Sequence, residues 1–152
     1  MNGRILQTRS TQDHPTEADS GCSQPLPAAV LEGLERFNRG AFFEAHEALE
    51  LAWRAEPGPV RELYHGILQL AVAWHHVERG SYRGALHALA RAGHWLAGFP
   101  AACQGLPVDA IRAQVDALHA DIVRRGERGL AAVDRGLHQP IRPFDPIRKP
   151  PG

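Results

Sequence analysis

The densest chemistry in the chain is Phe42-Phe43-Glu44-Ala45-His46-Glu47-Ala48-Leu49-Glu50, closing on Trp53-Arg54. On a helix His46 and Glu50 stand one turn apart and Glu47 and Glu50 three residues apart, so an imidazole and two carboxylates are neighbours. Three chemistries fit. In the first, His46 and Glu50 belong to a satisfied polar network that fixes this helix against the next one, because an unpaired buried polar group costs about 1–3 kcal/mol. In the second, His46, Glu50 and His76 ligate a divalent cation while Glu47 orients a water, giving a metal-dependent, hydrolase-like enzyme. In the third, a Glu–His pair does general acid/base work around the ordinary imidazole pKa of ~6.5. His46-Glu47-x-x-Glu50 lacks the second histidine of His-Glu-x-x-His, and the Glu-x-x-His pairs of di-iron bundles are missing too. No nucleophile stands out for covalent catalysis.

His46 falls between Phe42, Leu49 and Trp53 on the apolar stripe, so its ring is expected to point into the domain. A buried imidazole needs a partner, and Glu50 in the same helix, or Gln69 and His76 on one face of the next, are the candidates. The default for Trp53, Trp74 and Trp95 is core anchoring. His75 and His76 suit a helix C-terminus, and His87 and His94 a solvated face.

The elements that carry these residues read as an all-α array. Pro27 opens a first helix with Val30, Leu31, Leu34 and Phe37 at helical spacing, stopped by Asn38-Arg39-Gly40. A second helix runs from about Ala41 to Arg54, and Glu56-Pro57-Gly58-Pro59 breaks it. The third, about Val60 to Arg79, is apolar almost all round and belongs at the centre of a bundle. Gly66 within it lets a neighbouring helix approach closely. Gly80-Ser81 ends that helix and caps a fourth, which continues to about Leu96. A loop over 98–107 leads to a fifth helix with Val108, Ile111, Val115, Leu118 and Ile122 on its inner stripe, and Arg112, Asp116, Asp121 and Arg124 facing water. A further helical turn near Leu130 to Val133 precedes a proline-rich tail that can drape over the domain or bind a partner. The expected organisation is a flexible leader at 1–24, a helical domain at 25–126, and a short turn plus tail at 127–152.

The chain also repeats itself. A shift of forty residues pairs Arg39 with Arg79, Gly40 with Gly80, Ala45 with Ala85, Ala48 with Ala88, Leu49 with Leu89 and Ala52 with Ala92. Two helical hairpins on one plan, similar to tetratricopeptide units, plus a closing helix make the expected fold a compact five-helix array.

Composition excludes several functions. With 152 residues, 17 basic and 17 acidic side chains and no net charge, there is room for one core and no basic field of the kind that binds bulk nucleic acid. Lys149 is the single lysine, which disfavours Schiff-base and P-loop chemistry. The longest uncharged run, Leu63 to Val77, falls short of the ~20 residues a membrane span needs, and the N-terminus has no apolar export segment. Cys22 and Cys103 are too few for a disulfide framework and too far apart for a zinc or thioredoxin-like motif, so a reducing cytoplasm fits best.

Taken together, Phe37-Asn38-x-Gly40-x-Phe42-Phe43-Glu44-x-His46-Glu47-x-Leu49-Glu50-x-x-Trp53-Arg54, Gly66-Ile67-Leu68-Gln69 and His76-x-x-x-Gly80 resemble the prokaryotic and plastid family catalogued as domain of unknown function 309. The resemblance runs from about Leu31 to Ile122. It implies a small all-helical domain with these polar residues as its signature, and no reaction, substrate or cofactor. The expected function is a cytoplasmic, non-enzymatic module without cofactor. It binds a protein or small ligand beside Glu44, His46, Glu47 and Glu50, with Trp53, Arg54, Gln69 and His76 contributing; the divalent-metal enzyme is the alternative.

Overall fold

The computed structural model describes residues 21–144, so the leader over 1–20 and the tail over 145–152 lie outside the described residues. Helical periodicity translates directly into helices. They are α1 (Ala28–Asn38), α2 (Phe42–Ala55), α3 (Arg61–Glu78), α4 (Tyr82–Leu96) and α5 (Val108–Arg125), followed by 3-10 turns at Glu127–Ala132 and Arg135–Leu137. Each α-helix packs against the next in sequence. The class is therefore all-α and compact, with α3 between two neighbours. Leu63, Tyr64, Ile67, Leu70, Ala71, Ala73 and Trp74 of α3 are all fully or almost fully enclosed.

The forty-residue echo has a structural counterpart. At the end of α1 the Gly40 N–H donates to Phe37 O and the Ala41 N–H to Arg36 O; at the end of α3 the Gly80 N–H donates to Val77 O and the Ser81 N–H to His76 O. Both are Schellman turns, and both place glycine at a left-handed φ, +83° at Gly40 and +76° at Gly80. Ser81 then caps α4 by accepting from the Gly84 N–H at 3.3 Å. The paired hairpins cross closely because glycine removes a Cβ. A Cβ on Gly33 would lie 2.7 Å from Leu49 Cγ, and one on Gly66 would lie 2.6 Å from Leu96 Cγ.

Three expectations are corrected by the packing. Asp121 does not face water. It is buried on α5, where its carboxylate accepts from the Asp134 N–H at 3.0 Å, from Arg125 Nε at 2.8 Å and from Arg124. Arg112, also expected in solvent, turns back to cap the end of α4, donating to Leu96 O and Phe99 O at 2.9 Å each. The segment over 98–107 is more than a loop: β1 (Ala102–Cys103) pairs antiparallel with β2 (Leu106–Pro107) around a tight turn in which Gln104 and Gly105 both have positive φ.

The fourth correction concerns sulfur. Cys22 and Cys103 are bonded to each other across a separation of 81 residues. Spacing could not show this, because the pair meets only when β1 folds onto the segment before α1. Gln104 holds the junction: its backbone N–H donates to Cys22 O at 2.7 Å, its side-chain amide donates to Gly21 O, and it accepts from the buried Tyr64 hydroxyl at 2.8 Å. The continuous core runs from Cys22 to Ile141, so it takes in residues on both sides of 25–126.

Candidate functional site

The α2 helix buries Phe42, Ala45, Ala48, Leu49 and Ala52. His46 stands at the edge of that stripe. Its ring is half-buried in the groove between α2 and α3, against Phe43 with centroids 5.8 Å apart, and does not enter the core. Across the groove the His75 ring lies 5.6 Å from Phe43. Phe43, His46, Val72 and His75 line a small cavity of about 130 Å3, and Phe43 keeps 48% of its surface exposed. Glu44 and Glu47 are exposed beside it.

The expected partners of His46 are engaged elsewhere. The closest Glu50 oxygen is 3.9 Å from His46 Nε2, beyond hydrogen-bond distance. Glu50 instead accepts from Arg54, through Nη2 at 2.9 Å and Nε at 3.3 Å. The Arg54 hydrogen bond holds the Glu50 carboxyl below its ordinary range against the opposing effect of partial burial, and the charges of Arg54 and His46 add to it. Gln69 pairs with His65, Nε2 to Nε2 at 3.4 Å. His76 packs over the start of α4, where a Cβ on Gly84 would lie 2.6 Å from its Nδ1. Burial lowers the His76 pKa, and His75 and Arg79 lower it further.

This geometry bears on each of the three chemistries. Glu44, Glu47 and the partly exposed Glu50 form a surface, so a sealed network linking α2 to α3 is not what these residues make. A Glu50–His46 proton relay is not assembled, because Glu50 is committed to Arg54. Among the described residues no group of three or more His, Cys, Asp or Glu is placed to hold a metal ion, and His76 lies in a different groove from His46.

The next groove over, between α3 and α4, escaped the sequence reading. His65 lies between two indoles, 4.6 Å from the Trp53 ring and 4.8 Å from the Trp95 ring, and the Arg61 guanidinium sits 4.9 Å over Trp53. The His65 Nδ1 is 3.4 Å from Glu62. His65, Gln69, Ala90, Arg91, His94 and Trp95 line a shallow groove of about 430 Å3. Only Trp74 of the three tryptophans is a fully buried anchor; Trp53 and Trp95 are partly buried, and the Trp53 indole N–H is enclosed without a partner. The missed signal was His65 together with Trp53 and Trp95 one on each of three consecutive helices. Its ring stack joins α2, α3 and α4 into one outward surface.

No helix among the described residues is long and apolar enough to cross a membrane. Comparison with known proteins bears on the first four helices. No curated protein and no solved structure matches the chain. The family match is narrower than the Leu31 to Ile122 span read from the motifs, ending inside α4, yet it takes in the Phe43–Glu50 cluster and both grooves' α3 residues. Over residues 30–88 the chain resembles the family described as Domain of unknown function (DUF309), whose model matches that segment.

Proposed function

We propose that this domain is a non-enzymatic binding module whose ligand, a protein side chain or a small molecule, docks at the α2–α3 groove. The observation that carries the reading is Phe43. A large aromatic side chain with about half its surface in solvent, at the mouth of a cavity shared with His46, Val72 and His75, is an anchor site of the kind interfaces use. Glu44, Glu47 and the Glu50–Arg54 pair give the rim its charge, Gln69 lines the neighbouring groove, Trp53 packs on that groove's His65, and His76 lies over the start of α4. No nucleic-acid partner is part of the reading.

A fragment screen by amide shift mapping tests it. Small aromatic and imidazole-binding fragments should perturb resonances clustered on Phe43, His46, Val72 and His75, and Phe43→Ala should abolish the cluster without altering the far-UV spectrum. Perturbations that scatter, or that survive Phe43→Ala, would overturn the assignment. A cytoplasmic setting belongs to this proposal, and the Cys22–Cys103 bond argues against it, because disulfides persist chiefly in oxidising compartments. Thiol trapping at lysis decides: free thiols support the cytoplasm, and a closed bond in freshly lysed cells rejects it.

A further inference from the structure

Beyond α5 the chain crosses the face of α1 as an extended strap, and the way it is held is that of a bound peptide. Two amide side chains clasp alternate backbone units. Gln114 of α5 accepts from the Gln139 N–H at 3.2 Å and donates to Gln139 O at 3.1 Å. Asn38 of α1 accepts from the Ile141 N–H at 2.7 Å and donates to Ile141 O at 3.0 Å. Each clasp satisfies one residue's donor and acceptor together, so the groove recognises extended main chain, as peptide-binding proteins do.

Side chains add sequence preference. The His138 ring enters an aromatic cluster, 4.8 Å from Phe37, 5.0 Å from Phe42 and 5.7 Å from Trp74, and its Nε2–H donates to Phe37 O at 2.9 Å. Trp74 steadies the clasp by donating its indole N–H to Gln114 at 3.3 Å. Ile141 is 1% exposed. Pro140 and Pro143 stand at positions whose missing N–H neither clasp needs. The strap is nevertheless poorly backed on its outer side, where an open groove of about 450 Å3 separates Leu31 and Glu35 of α1 from Arg142. Leu130 and Val133 are buried and the Asp134 N–H is held by Asp121, so the chain is fixed to α5 up to Asp134, and the short 3-10 turn at Arg135–Leu137 is the hinge that exchange requires.

We propose that Asn38, Gln114 and the Phe37–Phe42–Trp74 rings form a peptide-binding groove that residues 138–144 fill in their own chain, and that a second copy of this chain docks by placing its 138–144 segment there instead. The tether keeps the intramolecular occupant at a high effective concentration, so exchange between copies shows when one copy's strap is weakened. This groove lies apart from the Phe43 cavity, and its failure would leave the proposed function untouched.

Complementation between two full-length variants tests the idea. Ile141→Asp weakens the strap and leaves the groove intact, whereas Asn38→Ala with Gln114→Ala weakens the groove and leaves the strap intact. Mixed, the two should form a one-to-one complex by sedimentation, at least tenfold tighter than either variant's self-association, and adding Asn38→Ala to the Ile141→Asp chain should abolish it. Folded variants that stay monomeric when mixed overturn the proposal. If either variant fails to fold, hydrogen exchange on the unaltered chain decides. Gln139 and Ile141 amides exchanging at least a hundredfold faster than the Leu70 amide show a strap that detaches as a unit; equal rates overturn the proposal.

Discussion

Alanine at Gly66 would test the close approach of α3 and α4. In an exposed helix interior Gly→Ala gains about 1 kcal/mol. At Gly66 the new Cβ would sit 2.6 Å from Leu96 Cγ, 2.7 Å from Leu96 Cδ2 and 3.5 Å from Ala92 O. Carbon atoms in contact prefer about 3.5–4.0 Å. Leu96 is fully buried and has nowhere to swing, so either its rotamer or the helix spacing must yield. Overpacking of this kind costs about 1–3 kcal/mol, and a shortfall of nearly an ångström belongs in the upper part of that range, leaving a net loss of about 1–2 kcal/mol. Gly93 supplies the control, because it lies within α4 and its added Cβ would meet nothing within 4 Å. Gly93→Ala should therefore stabilise by about 0.5–1 kcal/mol. At about 4 °C per kcal/mol for a domain of this size, the two melting temperatures should separate by roughly 6–12 °C. In a Leu96→Ala background the clash disappears, and Gly66→Ala should become stabilising, a coupling of about 2–3 kcal/mol. The reasoning is refuted if both glycine substitutions move Tm in the same direction by similar amounts, or if the coupling falls below ~0.5 kcal/mol.

Reduction of the Cys22–Cys103 bond opens a closed loop with a separation of 81 residues, which should cost on the order of 4 kcal/mol through chain entropy; a urea midpoint indifferent to reductant would contradict this. Asp121 is held at about 2, below its ordinary 3.8, chiefly by the Asp134 N–H and then by Arg125 and Arg124. Its ionised form thus favours the fold above pH ~3.8, and this contribution should fade as pH falls through about 2. Asp121→Asn should flatten the acid limb of stability against pH, and an unchanged limb would count against it. Burial pushes the Tyr64 phenol up to about 12, against its hydrogen bond to Gln104. The unfolded chain then ionises first as pH rises past ~10, so stability should drop between ~10 and ~12, and Tyr64→Phe should remove that slope while orphaning a Gln104 acceptor at a cost of about 1–3 kcal/mol.

The helices were legible because period and punctuation agree. Pro27, Gly40, the Pro57–Pro59 break, Gly80 and Gly126 bracket stripes that the core then buries. The helices that carry the candidate residues were legible, and the orientation of His46 on its helix was misread. His46 differs from Ala45 by a rotation of 100° about the helix, enough to move it from the buried stripe to its edge, and a stripe that includes Phe42, Leu49 and Trp53 cannot resolve that difference. Partners set by tertiary contact were invisible. The bond from Cys22 to Cys103, the clasps from Asn38 and Gln114 to the strap, and the stacking of His65 between Trp53 and Trp95 join residues that no local period relates. Asp121 illustrates the same limit. Its neighbours Arg124 and Arg125 suggest a solvated helix end, and only the return of the chain at Asp134 encloses it.

The bond between Cys22 and Cys103 makes a covalent ring of the segment that contains α1 to α4. A protease that cuts once inside that ring, for instance at the Glu56–Pro59 link, releases no fragment, and the two pieces stay attached and aligned until thiol is added. A cut after Arg125 behaves oppositely, because the strap beyond it is held to the ring by hydrogen bonds and packing alone. Oxidised protein should therefore shed its C-terminal end and keep everything before it, and the difference between reducing and non-reducing gels marks which side of the ring was cleaved.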